Sequence, residues 1–116
     1  MRLATAALVA LLQTATAAAE TAPPVTYEHA VECAAVTAVM LTAMRSVPEQ
    51  DAAKIQLYDE ANSAWIGKLA ELAPDREPGD RMGDVIASQR PFNDDPDGAT
   101  RAAPIAEACV AEVQPH

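Results

Sequence analysis

Two cysteines, Cys33 and Cys109, are the residues whose chemistry the sequence defines best. They are the only cysteines in the chain, and a redox-active pair would normally show a Cys-x-x-Cys spacing, which is absent. An even number of cysteines in an exported protein is typical of disulfide bonding, and the N-terminus has the features of an export signal. The sequence therefore predicts a structural bridge, which the chain-entropy model values at about 4 kcal/mol of stability.

A metal site is a second hypothesis for the same residues. His29 and Cys33 are four positions apart, which places both on one helix face, and Cys109 would be a third ligand. The predicted oxidation of Cys33 argues against such a site and leaves His29 as an ordinary polar residue near a helix start. Met40 and Met44 have thioethers suited to Cu(I), but methionines in an apolar helix more often fill a core. We therefore predict no metal centre and no cofactor.

An acidic loop, residues 91–98, carries a partial calcium motif. In an EF-hand loop, alternate oxygens face the ion and a glycine permits the sharp turn; four positions match this pattern: Asn93, Asp95, Asp97 and Gly98. The motif is incomplete because Pro104 stands at position twelve, where a bidentate Glu is required, and Pro96 interrupts the loop. We expect a solvated turn that caps the last helix, and whether residues 93–98 bind a cation stays open.

Residues suited to catalysis are few. No serine lies in a Gly-x-Ser-x-Gly nucleophile elbow, and the second histidine, His116, is the C-terminal residue. Acidic pairs such as Asp59–Glu60 and Asp94–Asp95 are expected at this charge and indicate no pocket. A Cys-x-x-Cys-His haem attachment site and a Gly-rich phosphate loop are both absent from the sequence. The sequence therefore predicts a protein that is not an enzyme.

The N-terminal segment has the pattern of a secretory signal. A basic residue at position 2 precedes an apolar run at residues 3–12, and residues 14–19 supply the small side chains at which signal peptidases cut. We predict a signal peptide at residues 1–19, with cleavage before Glu20 or, as a second choice, before Ala18. A membrane anchor is disfavoured because a span needs about 20 apolar residues and this run is shorter. The predicted location is periplasmic or secreted.

Charge and composition limit the classes of partner. The chain has 8 basic and 17 acidic residues, and loss of the leader removes one arginine, which takes the net charge from −9 to −10. Nucleic acids and anionic lipids are bound by clusters of Lys and Arg, so neither is an expected partner, and no membrane span is expected in the mature form. Half of the residues are apolar but only 3% are aromatic. A core rich in alanine suits closely packed helices better than a sheet.

The helical pattern is strongest in the first half of the mature chain. Residues 27–45 lack Gly and Pro, follow Thr26 as an N-cap, and are apolar around much of the helix, which predicts a central position in a bundle. Pro48 is predicted as the first residue of a second helix, which continues to about Ala73. Its amphipathic period is the clearest in the chain, and we predict that Trp65 is buried. The members of that period are Tyr58, Ala61, Trp65, Leu69 and Leu72.

Two shorter helices are predicted in the second half. The third spans residues 80–89 and ends at Arg90-Pro91; one side of it carries Met82, Val85, Ile86 and Gln89. The fourth begins between Asp97 and Pro104, because proline is tolerated only in a first turn. Its inner face orients Cys109 inward, as a buried bridge to the first helix requires; the face consists of Ala102, Ile105 (or Ala106 beside it), Cys109 and Val113.

The predicted fold is all-α. It is a compact four-helix bundle closed by one disulfide, or alternatively a three-helix bundle in which residues 79–90 are irregular. Residues 1–19 are assigned to the signal peptide, 20–26 to an extended lead-in, and 27–116 to a single helical domain. This length suits one hydrophobic core and no more.

The function that these patterns favour is protein binding by a small, exported, acidic, non-enzymatic protein. The partner is either an unidentified protein or a second copy of the chain, and the apolar first helix motivates this expectation because three short helices have to cover it. The alternative is a small periplasmic protein that binds a metal or another cation, built on the acidic loop or on the Met, His and Cys groups.

Overall fold

The computed structural model describes residues 23–115, in which four helices and no strand are present. The predicted signal peptide at residues 1–19, the first part of the lead-in and His116 lie outside the described residues. Within the described part of the chain, no helix has the length and apolarity needed to cross a membrane. The four-helix version of the prediction is confirmed, and the three-helix version is wrong because residues 79–90 are helical.

The first helix, α1, spans Tyr27–Arg45 and begins at the predicted cap. The side-chain oxygen of Thr26 accepts a hydrogen bond from the backbone N–H of His29 at 3.1 Å, which satisfies one of the free donors at the helix start. Eight residues of α1 are buried, and the helix contacts all three of the others. Its predicted central position is therefore confirmed, and the other helices cover its apolar surface.

The second helix, α2, spans Ala52–Leu72, so the prediction that Pro48 is its first residue is wrong. The side chain of Asp51 accepts a hydrogen bond from the backbone N–H of Lys54 at 3.1 Å. A side-chain cap of this kind satisfies a free donor, whereas proline only removes one, and the cap decides where the helix starts. Trp65 is 1% exposed, as predicted, whereas Leu72 in the last turn is 39% exposed.

The third and fourth helices, α3 (Pro78–Asn93) and α4 (Gly98–Val113), each continue through a proline. The predicted end of α3 at Arg90-Pro91 is therefore wrong. The start of α4 lies within the predicted interval, but Pro104 lies beyond its first turn, where proline was not expected. A proline removes one N–H donor from the helix. Residues beyond each proline, Phe92 in α3 and the buried Cys109 in α4, pack against or within the core, and this packing outweighs the lost hydrogen bond.

The core forms where α1 meets the other helices, and small side chains dominate the contacts. Fully buried alanines on α1 and α4 let the helix backbones approach closely; they are Ala30, Ala34, Ala35, Ala102 and Ala106. The predicted bridge between Cys33 and Cys109 is present, with the Cα atoms 5.4 Å apart. It joins α1 to α4 across a sequence separation of 76 residues, so the first and last helices are neighbours, as expected.

Candidate functional site

The disulfide end of the bundle brings together the residues with the greatest chemical potential. Cys33 is 0% exposed and Cys109 is 1% exposed, so both sulphur atoms belong to the core. His29 lies one helical turn before Cys33 on α1, and Glu112 lies one turn after Cys109 on α4. Since the two helices run antiparallel beside each other, the bridge places these two polar side chains above the sulphurs.

The imidazole of His29 and the carboxylate of Glu112 form a close pair. His29 Nε2 lies 2.9 Å from Glu112 Oε2 and 3.2 Å from Oε1, within hydrogen-bond distance of both oxygens. The same nitrogen is 3.5 Å from Cys33 Sγ, and Glu112 Oε2 is 3.8 Å from that sulphur. The three side chains thus offer a nitrogen, a sulphur and an oxygen that all lie within 4.8 Å of one another.

Trp65 holds this cluster from the side of α2. Its indole Nε1 donates a hydrogen bond to the backbone oxygen of Cys109 at 3.0 Å, and its ring meets the edge of the His29 ring with centroids 5.5 Å apart. A buried indole N–H needs an acceptor, and this carbonyl provides one. The side-chain orientations around the bridge are therefore fixed by packing in the core.

A groove opens beside the cluster, between the lead-in, α2 and the last turn of α4. Its volume is about 570 Å³, and its walls include Val25, Trp65, Val113 and the exposed carboxylate Glu112. A smaller pocket of about 350 Å³ is lined by His29, Glu112 and the prolines of the lead-in. Both spaces give solvent and small ions access to the His29–Glu112 pair.

Glu112 is the cluster residue that the sequence analysis missed. His29, Cys33 and Cys109 were proposed as one metal set, and the structure does bring these three together. The signal for Glu112 was its position three residues after Cys109, on the same face of α4. This position becomes informative only when Cys109 is paired with Cys33.

The other sulphur-containing pair, Met40 and Met44, packs against the core. Both side chains are half-buried on α1 and contact the buried cluster, as filler residues do. Among the acidic pairs, Asp59 lies 3.6 Å from the guanidinium of Arg45, and Glu60 is exposed on α2. These positions are distant along the helices from the disulfide end.

The acidic loop is divided between two helices and a short connection. Asn93 is the last residue of α3 and Gly98 is the first residue of α4, so only residues 94–97 lie between them. The side chain of Asp95 accepts the backbone N–H of Asp97 at 2.9 Å and pairs with the guanidinium of Arg101 at 2.8 Å. These contacts hold the pKa of Asp95 below its usual range, chiefly through the backbone N–H and then through Arg101. Residues 93–98 thus form a self-contained turn.

A second polar cluster fixes the start of α3 against α1. The carboxylate of Asp84 receives two hydrogen bonds from the guanidinium of Arg76, at 2.7 and 2.9 Å, and one from the hydroxyl of Tyr27 at 2.6 Å. These donors lower the pKa of Asp84, with Arg76 as the largest cause, while burial and then Asp84 raise the pKa of Tyr27. The cluster is structural because each group already has its partner.

The outer face of α3 carries Met82 and Ile86, two of the five large apolar side chains that are exposed among residues 23–115. Val85 is the single buried residue that this helix contributes, whereas Met82 is 39% exposed and Ile86 is 50% exposed. The four residues predicted to lie on one side of this helix, Met82, Val85, Ile86 and Gln89, therefore differ in burial: Val85 faces the core, whereas Met82 and Ile86 are exposed. Gly79 and Gly83 are adjacent on the exposed side, with open space above both.

Comparisons with known proteins yield no counterpart: no family model, no curated protein and no solved structure matches the chain.

Proposed function

We propose that this chain is a small, exported, non-enzymatic protein that acts by binding another protein, and that the outer face of α3 is its binding surface. The observation that supports this proposal most directly is the pair Met82 and Ile86, which are one turn apart and strongly exposed on the same helix. Exposed apolar side chains that occur together mark interaction sites more often than isolated ones do.

The shape of this face suits a helix as the partner. Gly79 and Gly83 are four residues apart, so they lie on one stripe of α3 beside the two apolar side chains, and Ala87 continues that stripe. Small residues allow a second helix to approach closely, and the flanking Met82 and Ile86 would then pack against its sides. A flat or highly charged partner surface would not fill the space above the two glycines or pack against Met82 and Ile86.

The charges at the two ends of α3 favour a second copy of the chain. Asp80 lies in the first turn and Arg90 in the last turn, and within residues 23–115 neither side chain takes part in a salt bridge. Two copies of α3 that pack antiparallel around a two-fold axis would bring Asp80 of each beside Arg90 of the other. An interface of this kind is self-complementary, as a symmetric dimer requires.

The size of the outer face of α3 limits how tightly two copies can bind. α3 has 16 residues and is about 24 Å long at a rise of about 1.5 Å per residue. Two such helices bury less than the roughly 1,200 Å² of a standard stable interface. We therefore expect a dissociation constant of about micromolar or weaker, which corresponds to about 8 kcal/mol or less.

Sedimentation equilibrium of the mature chain over a wide concentration range tests this proposal. The wild-type protein should convert from monomer to dimer, and Ile86→Glu should remain monomeric because the dimer would bury two charged side chains in place of two apolar ones. Val47→Glu is the matched control, since Val47 is 47% exposed in the turn between α1 and α2, away from the proposed face. A wild-type chain that stays monomeric throughout, or equal loss of dimer in both variants, would contradict the proposed surface.

Export is a separate part of the proposal, and the chain enters the periplasm or leaves the cell after loss of residues 1–19. Two observations support it: the apolar leader with small residues at its end, and a buried intramolecular disulfide, which is typical of oxidising compartments. Intact-mass measurement on protein from a bacterial host should give a chain that starts at Glu20 and carries the bridge. A full-length chain in the cytosolic fraction would contradict export.

A further inference from the structure

We propose that His29, Cys33, Cys109 and Glu112 form a zinc site that becomes available when the disulfide is reduced. In the oxidised protein the two sulphurs are bonded to each other, and His29 and Glu112 interact across them. After reduction, the same four side chains supply one nitrogen, two sulphurs and one oxygen. This set of ligands is typical of tetrahedral Zn²⁺.

The distances already present fit a tetrahedral ion. With Zn–S bonds of about 2.3 Å and Zn–N or Zn–O bonds of about 2.0–2.1 Å, neighbouring ligand atoms are about 3.3–3.8 Å apart. His29 Nε2 lies 3.5 Å from Cys33 Sγ, and Glu112 Oε2 lies 3.8 Å from the same sulphur. The hydrogen-bonded His29–Glu112 distance of 2.9 Å is shorter and has to lengthen by about half an ångström as the ion comes between them, with the proton of the neutral imidazole on Nδ1.

The second sulphur needs only a side-chain rotation. Cys109 Sγ is bonded to Cys33 Sγ, and its Cα atom lies 5.4 Å from that of Cys33. Once the bond is broken, the two thiolates move apart to about 3.8 Å, which rotation about the side-chain bonds provides while the helices stay in place. Trp65 helps to hold α4 in register because its indole donates to the backbone oxygen of Cys109.

The reaction balances with an external dithiol as reductant. The dithiol gives two electrons and two protons to the bridge, forms its own disulfide, and leaves two thiols on the protein. Zn²⁺ then binds both sulphurs as thiolates and releases their two protons, while the carboxylate and the neutral imidazole complete the site. A disulfide oxidant reverses the sequence: it accepts two electrons from the thiolates and two protons from water and becomes a dithiol, while the bridge forms again and the ion leaves.

Access and stability both favour this exchange. The side chains of His29 and Glu112 are 39% and 47% exposed, so an ion reaches the sulphurs through them. Zinc would link α1 to α4 at the same point as the disulfide does, so the bundle is closed in either state. The protein would therefore retain zinc under reducing conditions and release it on oxidation.

Zinc titration of the reduced and the oxidised protein tests this inference. The purified protein is reduced with a phosphine, and Zn²⁺ is added while helicity, Trp65 fluorescence and alkylation of the two thiols are followed. We expect one ion per reduced chain, protection of both thiols, and binding at least about 100-fold weaker in the oxidised protein, which lacks both thiolates. Co²⁺ should give the visible absorption of a tetrahedral site with thiolate ligands.

Two variants and a control separate a built site from simple dithiol binding. His29→Ala and Glu112→Gln should each weaken zinc binding to the reduced protein by at least about tenfold. Glu107→Gln is the matched control, an exposed carboxylate on the same helix, and should leave the affinity unchanged. If reduction unfolds the chain, zinc should restore its helicity in the wild type and in Glu107→Gln but not in the other two variants. A reduced protein that does not bind zinc, or one whose affinity for zinc does not depend on His29 and Glu112, would overturn the inference.

Discussion

Gly98 is the position at which the structure makes its sharpest stability prediction. It is the buried first residue of α4, and its backbone packs directly on the end of α3. A Cβ atom added here would overlap the carbonyl oxygen of Phe92 and would approach the carbonyl carbon at 2.5 Å and the Cα atom at 2.9 Å. These are backbone atoms, so rotation of a side chain cannot relieve the overlap. The substitution Gly98→Ala therefore forces α3 and α4 apart.

The expected cost follows from the contacts around this turn. Moving the start of α4 would disturb the hydrogen bond from Gly98 N–H to Asp95 at 2.9 Å and the one from Arg101 to the backbone oxygen of Pro91 at 2.8 Å. Insertion of a methyl group into a well-packed site costs about 1–3 kcal/mol, and each disturbed hydrogen bond adds about 1 kcal/mol. We expect Gly98→Ala to lower the free energy of unfolding by about 3–5 kcal/mol.

Gly67→Ala is the matched control, with the same chemical change at an open position. Gly67 lies inside α2, is exposed, and has no atom within 4 Å of an added Cβ. Alanine there should raise the free energy of unfolding by about 0.5–1 kcal/mol, because glycine is a poor helix former. Urea unfolding of the oxidised protein, followed by the fluorescence of buried Trp65, measures both variants on one scale.

The two substitutions should change the free energy of unfolding in opposite directions: Gly98→Ala lowers it and Gly67→Ala raises it. The two variants should differ by about 3 kcal/mol or more, with equal dependence of the unfolding free energy on urea. If Gly98→Ala is as stable as the wild type, the close contact between α4 and Phe92 is absent in solution, and the described path of the chain from α3 to α4 is refuted.

Three further predictions concern the disulfide, the polar cluster around Asp84, and Trp65. The double variant Cys33→Ala/Cys109→Ala should have a free energy of unfolding about 4 kcal/mol lower than that of the wild type. An unchanged midpoint of thermal or urea unfolding would contradict a stabilising bridge. Because the pKa of Asp84 is lowered in the folded state, its contribution to the free energy of unfolding is present above about pH 4 and is lost as the pH falls through the folded pKa. Asp84→Asn should therefore make the stability of the protein fall less steeply with acid. An identical dependence of stability on pH in the wild type and the variant would refute this role. Trp65→Phe should cost about 2–3 kcal/mol through a cavity and the loss of the hydrogen bond from the indole to Cys109, and a loss below about 1 kcal/mol in urea would contradict its packing.

The helix type and order were predictable from the sequence, but the effect of the prolines was not. The N-cap at Thr26 and the burial of Trp65 follow from local patterns, and both are confirmed. Pro91 and Pro104 lie inside helices, where they were not predicted. The sequence rule considers only the hydrogen bond that proline removes and ignores the side chains beyond the proline that pack against the core. Phe92, for example, reaches the core only because α3 continues past the proline.

The orientation of α3 was also beyond the sequence pattern. Met82, Val85 and Ile86 lie within one turn and a half, and such a short apolar group fits two orientations of the helix. The orientation observed is set by polar contacts, since Asp84 receives hydrogen bonds from Tyr27 on α1 and from Arg76 before α3. Tyr27 is 57 residues before Asp84 and lies on another helix, so no window of the sequence pattern contains this contact.

The candidate site shows how one long-range constraint turns spacing into geometry. His29 and Glu112 are 83 residues apart, and only His29, four residues before Cys33, has a spacing that suggests a ligand. The bridge pairs Cys33 with Cys109 on antiparallel helices, and residues one turn before the first and one turn after the second must then be neighbours. Because the same covalent bond both creates this neighbourhood and occupies its two best metal ligands, the presence of zinc in the cluster should depend on the redox state of the bridge.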